Sequence, residues 1–264
     1  MSHHGRFCWY DLMTNDPAGS RTFYGALLGW RAEAPEGVPT GYEVLHAGDH
    51  PVGGLVPLDP SEDMPTHWIP YLAVDDLEEA CAETEAAGGG VCIAPMDVGP
   101  GRMAIVNDPQ GGTFTLWQTK VPPHAEAPAG TPGTFCWHEC LSSDADGGAA
   151  FYARIFGWDV DEMDMETDGF KVHYHVFLRD GVHHSGIMDL PPEALEQGAA
   201  THWLGYVSVA DVDAASARAA SLGAAVLCPC TDIPDTGRFC VIQDPQGGVL
   251  SLFQAPAADG KDAS

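Results

Sequence analysis

The chain has 264 residues, of which 38 are acidic and 11 are lysine or arginine, giving a formal net charge of −27. Such a charge repels the phosphates of nucleic acids and anionic lipid headgroups, so we expect neither nucleic acid nor a membrane as a partner. No apolar run approaches the roughly twenty residues of a membrane span, and no charged-then-apolar leader follows Met1. We therefore expect a cytoplasmic protein, as a monomer or homodimer.

One phrase of the sequence occurs twice. Residues 7–30 read FCWYDLMTNDPAGSRTFYGALLGW, and residues 135–158 read FCWHECLSSDADGGAAFYARIFGW. The shorter phrases "HW" and "DPQGG" also recur further along each copy, and a long-period repeat of this kind indicates tandem copies of one domain. We predict domains at residues 1–118 and 134–255, a proline- and glycine-containing linker at 119–133, and a disordered tail at 256–264.

The elements of the first copy follow in a regular order. A strand at residues 7–14 precedes "TNDPAGS", whose aspartate and proline are typical of a helix start, and Gly29 is typical of a helix end. The pieces "YEVLHA" and "PVGGLVPL" are read as extended. From His67 a strand, "HWIPYLAVDD", and an alanine-rich helix, "LEEACAETEAAGG", are followed by three strands, with "DPQGG" as a tight turn.

The second copy repeats these elements, so each copy contains the order strand, helix and three strands twice. The paired βαβββ modules, with the phrases "D…FY…LGW", "VDD…A…GG" and "DPQGG…L", resemble the vicinal oxygen chelate superfamily of glyoxalases, bleomycin-resistance-type binding proteins and extradiol dioxygenases. The tandem form is similar to two-domain glyoxalase-like proteins of actinobacteria. This resemblance implies an α+β fold in which each domain is an incomplete mixed barrel with helices outside.

The resemblance also implies a concave side that holds either a divalent metal or a ligand without metal. Metal-binding members place histidine, glutamine or glutamate there, since such cations need nitrogen or oxygen donors. The matching positions in this sequence are Trp9, Ile69 and Thr115 in the first copy and Trp137, Leu204 and Ser251 in the second. We therefore predict no metal cofactor on the concave side.

Because side chains alternate along a strand, Trp9, Asp11 and Met13 share the concave side. Asp11 and its counterpart Glu139 are the candidate acid–base catalytic residues. Alternatively, each carboxylate holds a backbone amide or an arginine, such as Arg102 or Arg238. The predicted ligand-binding residues are Trp9, Tyr71, Thr115 and Trp117, and in the second copy Trp137, Tyr206, Ser251 and Phe253.

The two indoles, Trp9 and Trp137, either stack on a planar ligand or plug the barrel. The second copy is rich in histidine. His173 and His175 lie at i and i+2 on one strand and are the alternative metal ligands. We expect the histidines of "DGVHHSG" to be solvated and the eight cysteines to be mostly buried thiols. We expect His67 and His202 either to cap the entrance of their strands or to meet the other module.

These patterns predict a glyoxalase-like protein that binds, and as an enzyme would transform, a small apolar or aromatic metabolite in a metal-free cavity. The matching reaction types are acid–base lyase, isomerase or hydroxylase-like chemistry. The alternative is a metal-dependent lyase, isomerase or dioxygenase that uses the histidine-rich second domain. The first hypothesis needs no cofactor, whereas the second needs a divalent metal.

Overall fold

The computed structural model describes residues 3–35, 41–59, 61, 64–122, 125, 127–167, 170–196 and 198–256. The first half contains β1 (Phe7–Thr14), α1 (Pro17–Leu28), β2 (Arg31–Glu33), β3 (Glu43–Ala47), β4 (His50–Pro57), β5 (His67–Ala73), α2 (Leu77–Ala86), β6 (Gly90–Asp97), β7 (Gly101–Asn107) and β8 (Thr113–Thr119). Most of the predicted tail, residues 257–264, lies outside the described residues.

The second half repeats this order and adds one short helix, α4, which the sequence did not predict. It contains β9 (Phe135–Ser142), α3 (Ala145–Phe156), β10 (Asp159–Thr167), β11 (Phe170–Arg179), β12 (Val182–Asp189), α4 (Pro192–Glu196), β13 (His202–Ser208), α5 (Val212–Ser221), β14 (Ala225–Ile233), β15 (Gly237–Gln243) and β16 (Val249–Gln254).

Each half forms one eight-stranded mixed sheet. The strand order is β2-β3-β4-β1-β5-β8-β7-β6 in the first half and β10-β11-β12-β9-β13-β16-β15-β14 in the second. In each half the first strand lies near the middle, parallel to the fourth and antiparallel to the fifth. Within the described residues the edge strands do not pair with each other, so the predicted incomplete barrel is confirmed.

Helix α1 begins and ends where the sequence predicted, and α3 repeats its caps. The Asp16 carboxylate accepts a hydrogen bond from the Gly19 amide at 3.0 Å, and Gly29 ends α1 in the left-handed conformation at φ 71°. Asp144 does the same for α3, which Gly157 ends at φ 65°. These aspartates satisfy an amide that has no partner within the helix. None of the helices in the described part is long and apolar enough to cross a bilayer.

The hydrophobic core is divided between two clusters, and each cluster draws on both halves. One joins side chains of the first half, including Leu72 and Phe114, to Phe151 and Tyr152 of the second. The other joins the β1 and α1 side chains of the first half to β13, α5, β15 and β16 of the second. The two halves are therefore packed through a shared core.

Reciprocal hydrogen bonds cross between the halves within these clusters. The Tyr24 hydroxyl donates to the Asp244 carboxylate at 2.7 Å and accepts from the Trp68 indole at 3.1 Å. In the repeat, Tyr152 donates to the Asp108 carboxylate at 2.8 Å and accepts from the Trp203 indole at 2.8 Å. The repeated "FY" and "DPQGG" phrases thus form the contact between the halves.

The tryptophans of the two "GW" phrases also form hydrogen bonds outside their own copy. The Trp30 indole donates to the carbonyl of Gly133 at 2.8 Å, and the Trp158 indole donates to that of Gly5 at 3.0 Å. Both glycines have positive φ, and a side chain on Gly5 would approach the Trp158 ring. The repeated opening phrase is therefore part of the interface between the halves.

The prediction that the eight cysteines are mostly buried is wrong, because three of the eight, Cys81, Cys140 and Cys240, are buried. Cys8 on β1 and Cys92 on β6 are exposed. The remaining thiols, including those of Cys228 and Cys230, are partly buried, and all eight cysteines are free.

Candidate functional site

The concave face of the first half is arranged by strand register. Trp9 on β1 lies opposite Tyr71 on β5, and Tyr71 lies beside Thr115 on β8. Asp11 and Ile69 form the neighbouring pair. Tyr10 and Leu12, the alternate residues of β1, are buried in the core on the other face. The structure thus brings together residues that the sequence predicted to share one face.

The Asp11 carboxylate is the centre of this face and is 4% exposed. Its Oδ1 accepts hydrogen bonds from the Trp9 indole at 2.9 Å and the Tyr42 hydroxyl at 3.1 Å. Its Oδ2 accepts from the Tyr71 hydroxyl at 2.5 Å. We call these four residues the first acid site. Three neutral donors hold the acid, and both carboxylate oxygens are occupied.

The second half has an equivalent arrangement, which we call the second acid site: Trp137, Glu139, Tyr174 and Tyr206. The Glu139 Oε2 accepts from the Tyr206 hydroxyl at 2.7 Å, while the Trp137 indole donates to the Tyr174 hydroxyl at 3.0 Å. Glu139 is only partly buried, unlike Asp11. Glu139 as a whole residue is therefore more exposed than Asp11.

The sequence analysis missed Tyr42 and Tyr174, although the repeat carried a signal for both. The two tyrosines occupy equivalent positions of the repeat, because they are as far apart in sequence as Gly54 and Gly186. Each of these glycines pairs with the residue two positions after its tyrosine, on β3 or β11. A side chain on Gly54 would overlap Asp11 and the Tyr42 hydroxyl, and one on Gly186 would overlap the Tyr174 ring. Glycine is required at both positions by the close approach of the tyrosine.

Apolar side chains surround each acid site. In the first half, Tyr71 packs edge-on against the partly exposed Trp117, with ring centroids 6.0 Å apart, and its hydroxyl lies 3.9 Å from the Met103 sulfur. In the second half, the Tyr206 ring lies 5.9 Å from Phe239 and 6.5 Å from Phe253. Partly exposed aromatic surface therefore adjoins each carboxylate.

Burial raises the pKa of both Asp11 and Glu139, and hydrogen bonds from the neighbouring tyrosines oppose this shift. Burial and the adjacent carboxylate also raise the pKa of Tyr71 and Tyr206. The tyrosines therefore stay protonated and act as donors. Each acid site can hold or exchange a proton at its carboxylate.

Arg102 and Arg238 are not the partners of these acids, contrary to the alternative drawn from the sequence. Arg102 forms a two-point ion pair with Glu78 at 2.6 and 3.0 Å, on the exposed surface. Arg238 pairs with Asp213 and Asp232. These arginines find acidic partners on helices and strands outside the concave face, which the strand pattern alone could not show.

The residues of the concave faces do not fit the metal that the fold family implies. In the first half, Trp9 and Ile69 offer no donor, and Thr115 offers only a hydroxyl. Asp11 is the one carboxylate among the first acid site's residues, and hydrogen bonds occupy both of its oxygens. A divalent ion would have to displace the hydrogen bonds that Trp9, Tyr42 and Tyr71 donate to Asp11, so this face does not fit a metal.

The histidines lie elsewhere. His67 and His202 cap their strands as predicted, with Nδ1 2.8 Å from the carbonyls of Pro65 and Ala200. His138, next to Glu139 in sequence, lies on the opposite face, where it contacts Phe7 and Tyr10 between the halves. Alternation along β9 separates His138 from the acid site.

The expectation that both histidines of "DGVHHSG" are solvated is wrong for His184. Its ring packs edge-on against Trp158, with centroids 4.6 Å apart, and burial lowers its pKa to about 4. His183 is exposed and lies 3.2 Å from Asp161. The strand β12 points these neighbours in opposite directions.

The alternative metal ligands, His173 and His175, do lie together, with ring centroids 4.7 Å apart. Their ligand atoms and that of Asp146, on the first turn of α3, all lie within 4.8 Å of one another. Tyr174, between the two histidines, points to the acid site. This group of three, the outer cluster, is therefore on the opposite face of the sheet from Glu139.

Comparison with known proteins agrees with this architecture. The family profile of the Glyoxalase/Bleomycin resistance protein/Dioxygenase superfamily matches residues 6–116 and 139–252. The protein named "Putative glyoxylase CFP32" of Mycobacterium tuberculosis is 33% identical over 253 residues, which cover 93% of each chain. The "Anthracycline biosynthesis protein DnrV" of Streptomyces peucetius is 31% identical over 280 residues, which cover 97% of each.

Solved structures show the same fold at low identity. The Mn(II)-bound glyoxalase of Novosphingobium aromaticivorans has a TM-score of 0.62 and 19% identity, and the match covers 96% of this chain and 82% of that one. The 2,3-dioxygenase LapB of Pseudomonas sp. KL28 has a TM-score of 0.64 and 16% identity, covering 98% and 96%. With both halves matched by the family profile, the chain belongs to the Glyoxalase/Bleomycin resistance protein/Dioxygenase superfamily.

Proposed function

We propose that the concave face of the second half binds a small aromatic or apolar metabolite, without a metal ion, next to Glu139. The observation that carries this proposal is a partly buried glutamate, whose carboxylate is held by a tyrosine and which is bordered by partly exposed aromatic rings. Ligand pockets are mostly apolar with a few polar groups that fix orientation. The second acid site has this composition.

Hydrogen bonding supports a ligand contact at Glu139. A carboxylate has about four lone-pair sites; the Tyr206 hydroxyl uses one of those on Oε2, and the Tyr174 hydroxyl also interacts with this carboxylate. A ligand hydroxyl could therefore donate to this carboxylate. In contrast, Asp11 already accepts from Trp9, Tyr42 and Tyr71 and is buried. The first acid site is therefore proposed to be mainly structural.

Aromatic surface supports a planar ligand. The partly exposed Trp137 has its indole nitrogen anchored on the Tyr174 hydroxyl, which fixes the position of the ring. Phe253 lies on the neighbouring side of Tyr206. Stacking on such fixed rings adds about 0.5–1.5 kcal/mol beyond area burial. The name of the relative DnrV, which refers to anthracycline biosynthesis, makes a polycyclic aromatic compound a sensible first probe.

The Glu139 carboxyl group could also act on the ligand as an acid–base catalyst. Because burial raises the pKa of Glu139, its carboxyl group exchanges protons closer to neutrality than an exposed glutamate does. It would take a proton from a bound ligand and return it at another atom, as a lyase or isomerase requires. The neutral Tyr206 would keep the carboxylate in position.

Binding of a hydroxyanthraquinone, followed by tryptophan fluorescence and calorimetry, tests this proposal. We expect Glu139→Gln and Trp137→Leu each to weaken binding at least tenfold, which corresponds to about 1.4 kcal/mol. The matched variants of the first half, Asp11→Asn and Trp9→Leu, should change the ligand affinity per folded molecule by less than threefold. This is a smaller change than the loss of one contact with the ligand would cause.

Stability provides the control. Asp11→Asn should lower the free energy of unfolding by about 1–3 kcal/mol, because an amide nitrogen cannot accept the bonds that a carboxylate oxygen accepts. Glu139→Gln should lower it less, as fewer donors depend on it. Unaltered binding by Glu139→Gln and Trp137→Leu, with both variants folded, would disprove the site. Absence of binding to the probe and to smaller phenols would disprove the proposed ligand class.

A further inference from the structure

We propose that the outer cluster, Asp146, His173 and His175, binds one divalent metal ion of the zinc, nickel or copper type. The site lies between β11 and the first turn of α3, on the face of the sheet opposite the second acid site. It is separate from the proposed ligand site and from the concave face on which the fold family carries its metal. The proposal goes beyond the proposed function and does not depend on it.

The geometry requires only small movements of the ligands. His175 Nε2 lies 2.8 Å from the Asp146 carboxylate, and the ligand atoms of all three residues lie within 4.8 Å of one another. Bonds of about 2.0–2.2 Å in a tetrahedral site separate neighbouring ligand atoms by about 3.3 Å. An ion can therefore enter with shifts of roughly 1 Å in side chains, two of which are exposed.

His175 gives the site a fixed and available donor. Its side chain is 5% exposed, and its Nδ1 is buried without a hydrogen-bond partner in the described chain. A neutral imidazole has one protonated nitrogen and one lone pair, and Asp146 is bonded at Nε2. The Nε2 edge of this ring therefore faces the cluster, and an ion that displaces the hydrogen bond to Asp146 would take the Nε2 lone pair while Nδ1 carries the proton.

The first half shows that the fold itself does not require this cluster. The positions equivalent to Asp146 and His175 are Ala18 and Glu43, as the shared strand register shows. There Glu43 forms an ion pair with Arg21, with the Arg21 Nε donating at 2.8 Å. The residue equivalent to Arg21 is Ala149, which has no charge. In the first half the Arg21 guanidinium thus lies where the second half has the outer cluster, whose side chains are potential metal ligands.

Nearby charge also favours a cation. The His173 Nδ1 lies 3.1 Å from the Asp164 carboxylate, and Glu162 lies opposite His175 on β10. Two imidazoles with carboxylates are a donor set for borderline divalent ions, rather than for Mg²⁺ or Ca²⁺, which prefer oxygen ligands. A carboxylate next to a ligating imidazole also orients that ring, which is a role for Asp164.

Titration of the untagged full-length protein with ZnCl₂ tests the site, in a background where His3 and His4 are replaced by glutamine to remove the N-terminal histidines. We expect about one equivalent of Zn²⁺ bound. Asp146→Asn and His173→Gln should each weaken binding at least tenfold, the usual effect of losing one interaction that holds a metal. Both change exposed side chains, so folding is preserved and can be checked by circular dichroism.

The matched control is His183→Gln, which removes an exposed histidine paired with Asp161 in the same half and should leave Zn²⁺ affinity unaltered. Binding of Co²⁺ should give the intense visible bands of a tetrahedral site in the parent protein, and these bands should be lost in Asp146→Asn. Absence of Zn²⁺ binding, or equal affinity in His173→Gln and the parent, would overturn the proposal. Neither result depends on the aromatic probe, so the two proposals fail separately.

Discussion

The hydroxyl of Tyr24 should be one of the most important single groups for stability. It donates to the Asp244 carboxylate at 2.7 Å and accepts from the Trp68 indole at 3.1 Å, within the buried contact between the halves. Tyr24→Phe keeps the ring but removes both bonds. A hydrogen bond to a charged group is worth about 1.5–3 kcal/mol, and a buried donor left without a partner costs about 1–3 kcal/mol.

These terms overlap, because Asp244 keeps the amides of Gln246 and Gly248 as donors at 2.8 and 2.9 Å. We therefore expect Tyr24→Phe to lower the free energy of unfolding by about 2–4 kcal/mol. Urea unfolding, followed by circular dichroism and tryptophan fluorescence, measures this change. The slope of the transition should stay the same if the two halves still unfold together.

A double-mutant cycle with Asp244→Asn isolates the bond between the two side chains. The coupling energy should exceed about 1 kcal/mol, because the residues are in direct contact. A loss of less than 0.5 kcal/mol for Tyr24→Phe, in the range of ordinary surface substitutions, would refute the reasoning. So would full additivity in the cycle.

Two other predictions follow from the interface and the acid sites. Burial lowers the pKa of His138 to about 3, so its contribution to stability is present above pH 6.5 and is lost as the pH falls. The free energy of unfolding of His138→Gln should therefore fall less steeply between pH 6.5 and 4 than that of the parent protein. An unaltered pH profile would contradict this. Gly186→Ala should lower the free energy of unfolding by about 1–3 kcal/mol, because the added methyl group overpacks the Tyr174 ring. The control is Gly181→Ala, which lies in open space and tests backbone strain alone. Equal effects of the two substitutions in thermal unfolding would contradict a steric cause.

The sequence by itself determined the tandem duplication, the order of strands and helices apart from α4, and the face on which each strand residue lies. These follow from the long-period repeat and from the two-residue and 3.6-residue periods of local structure. Trp9, Asp11 and Tyr71 therefore meet as expected. The same local rules could not find Tyr42, because it directly precedes β3 and reaches Asp11 through the pairing of β1, β4 and β3.

Only the tertiary structure decided which halves and faces meet. Tyr24 and Asp244 are 220 residues apart and pair across the two halves, so no periodicity within either copy predicts their contact. Asp146 joins His175 because α3 packs on the outer face of β11. Local sequence sets backbone conformation and the direction of each side chain, but the packing of one half against the other sets the partners. For that reason the phrases repeated most clearly, "FY" and "GW", form the interface, while the acid sites lie on the other face of the sheets.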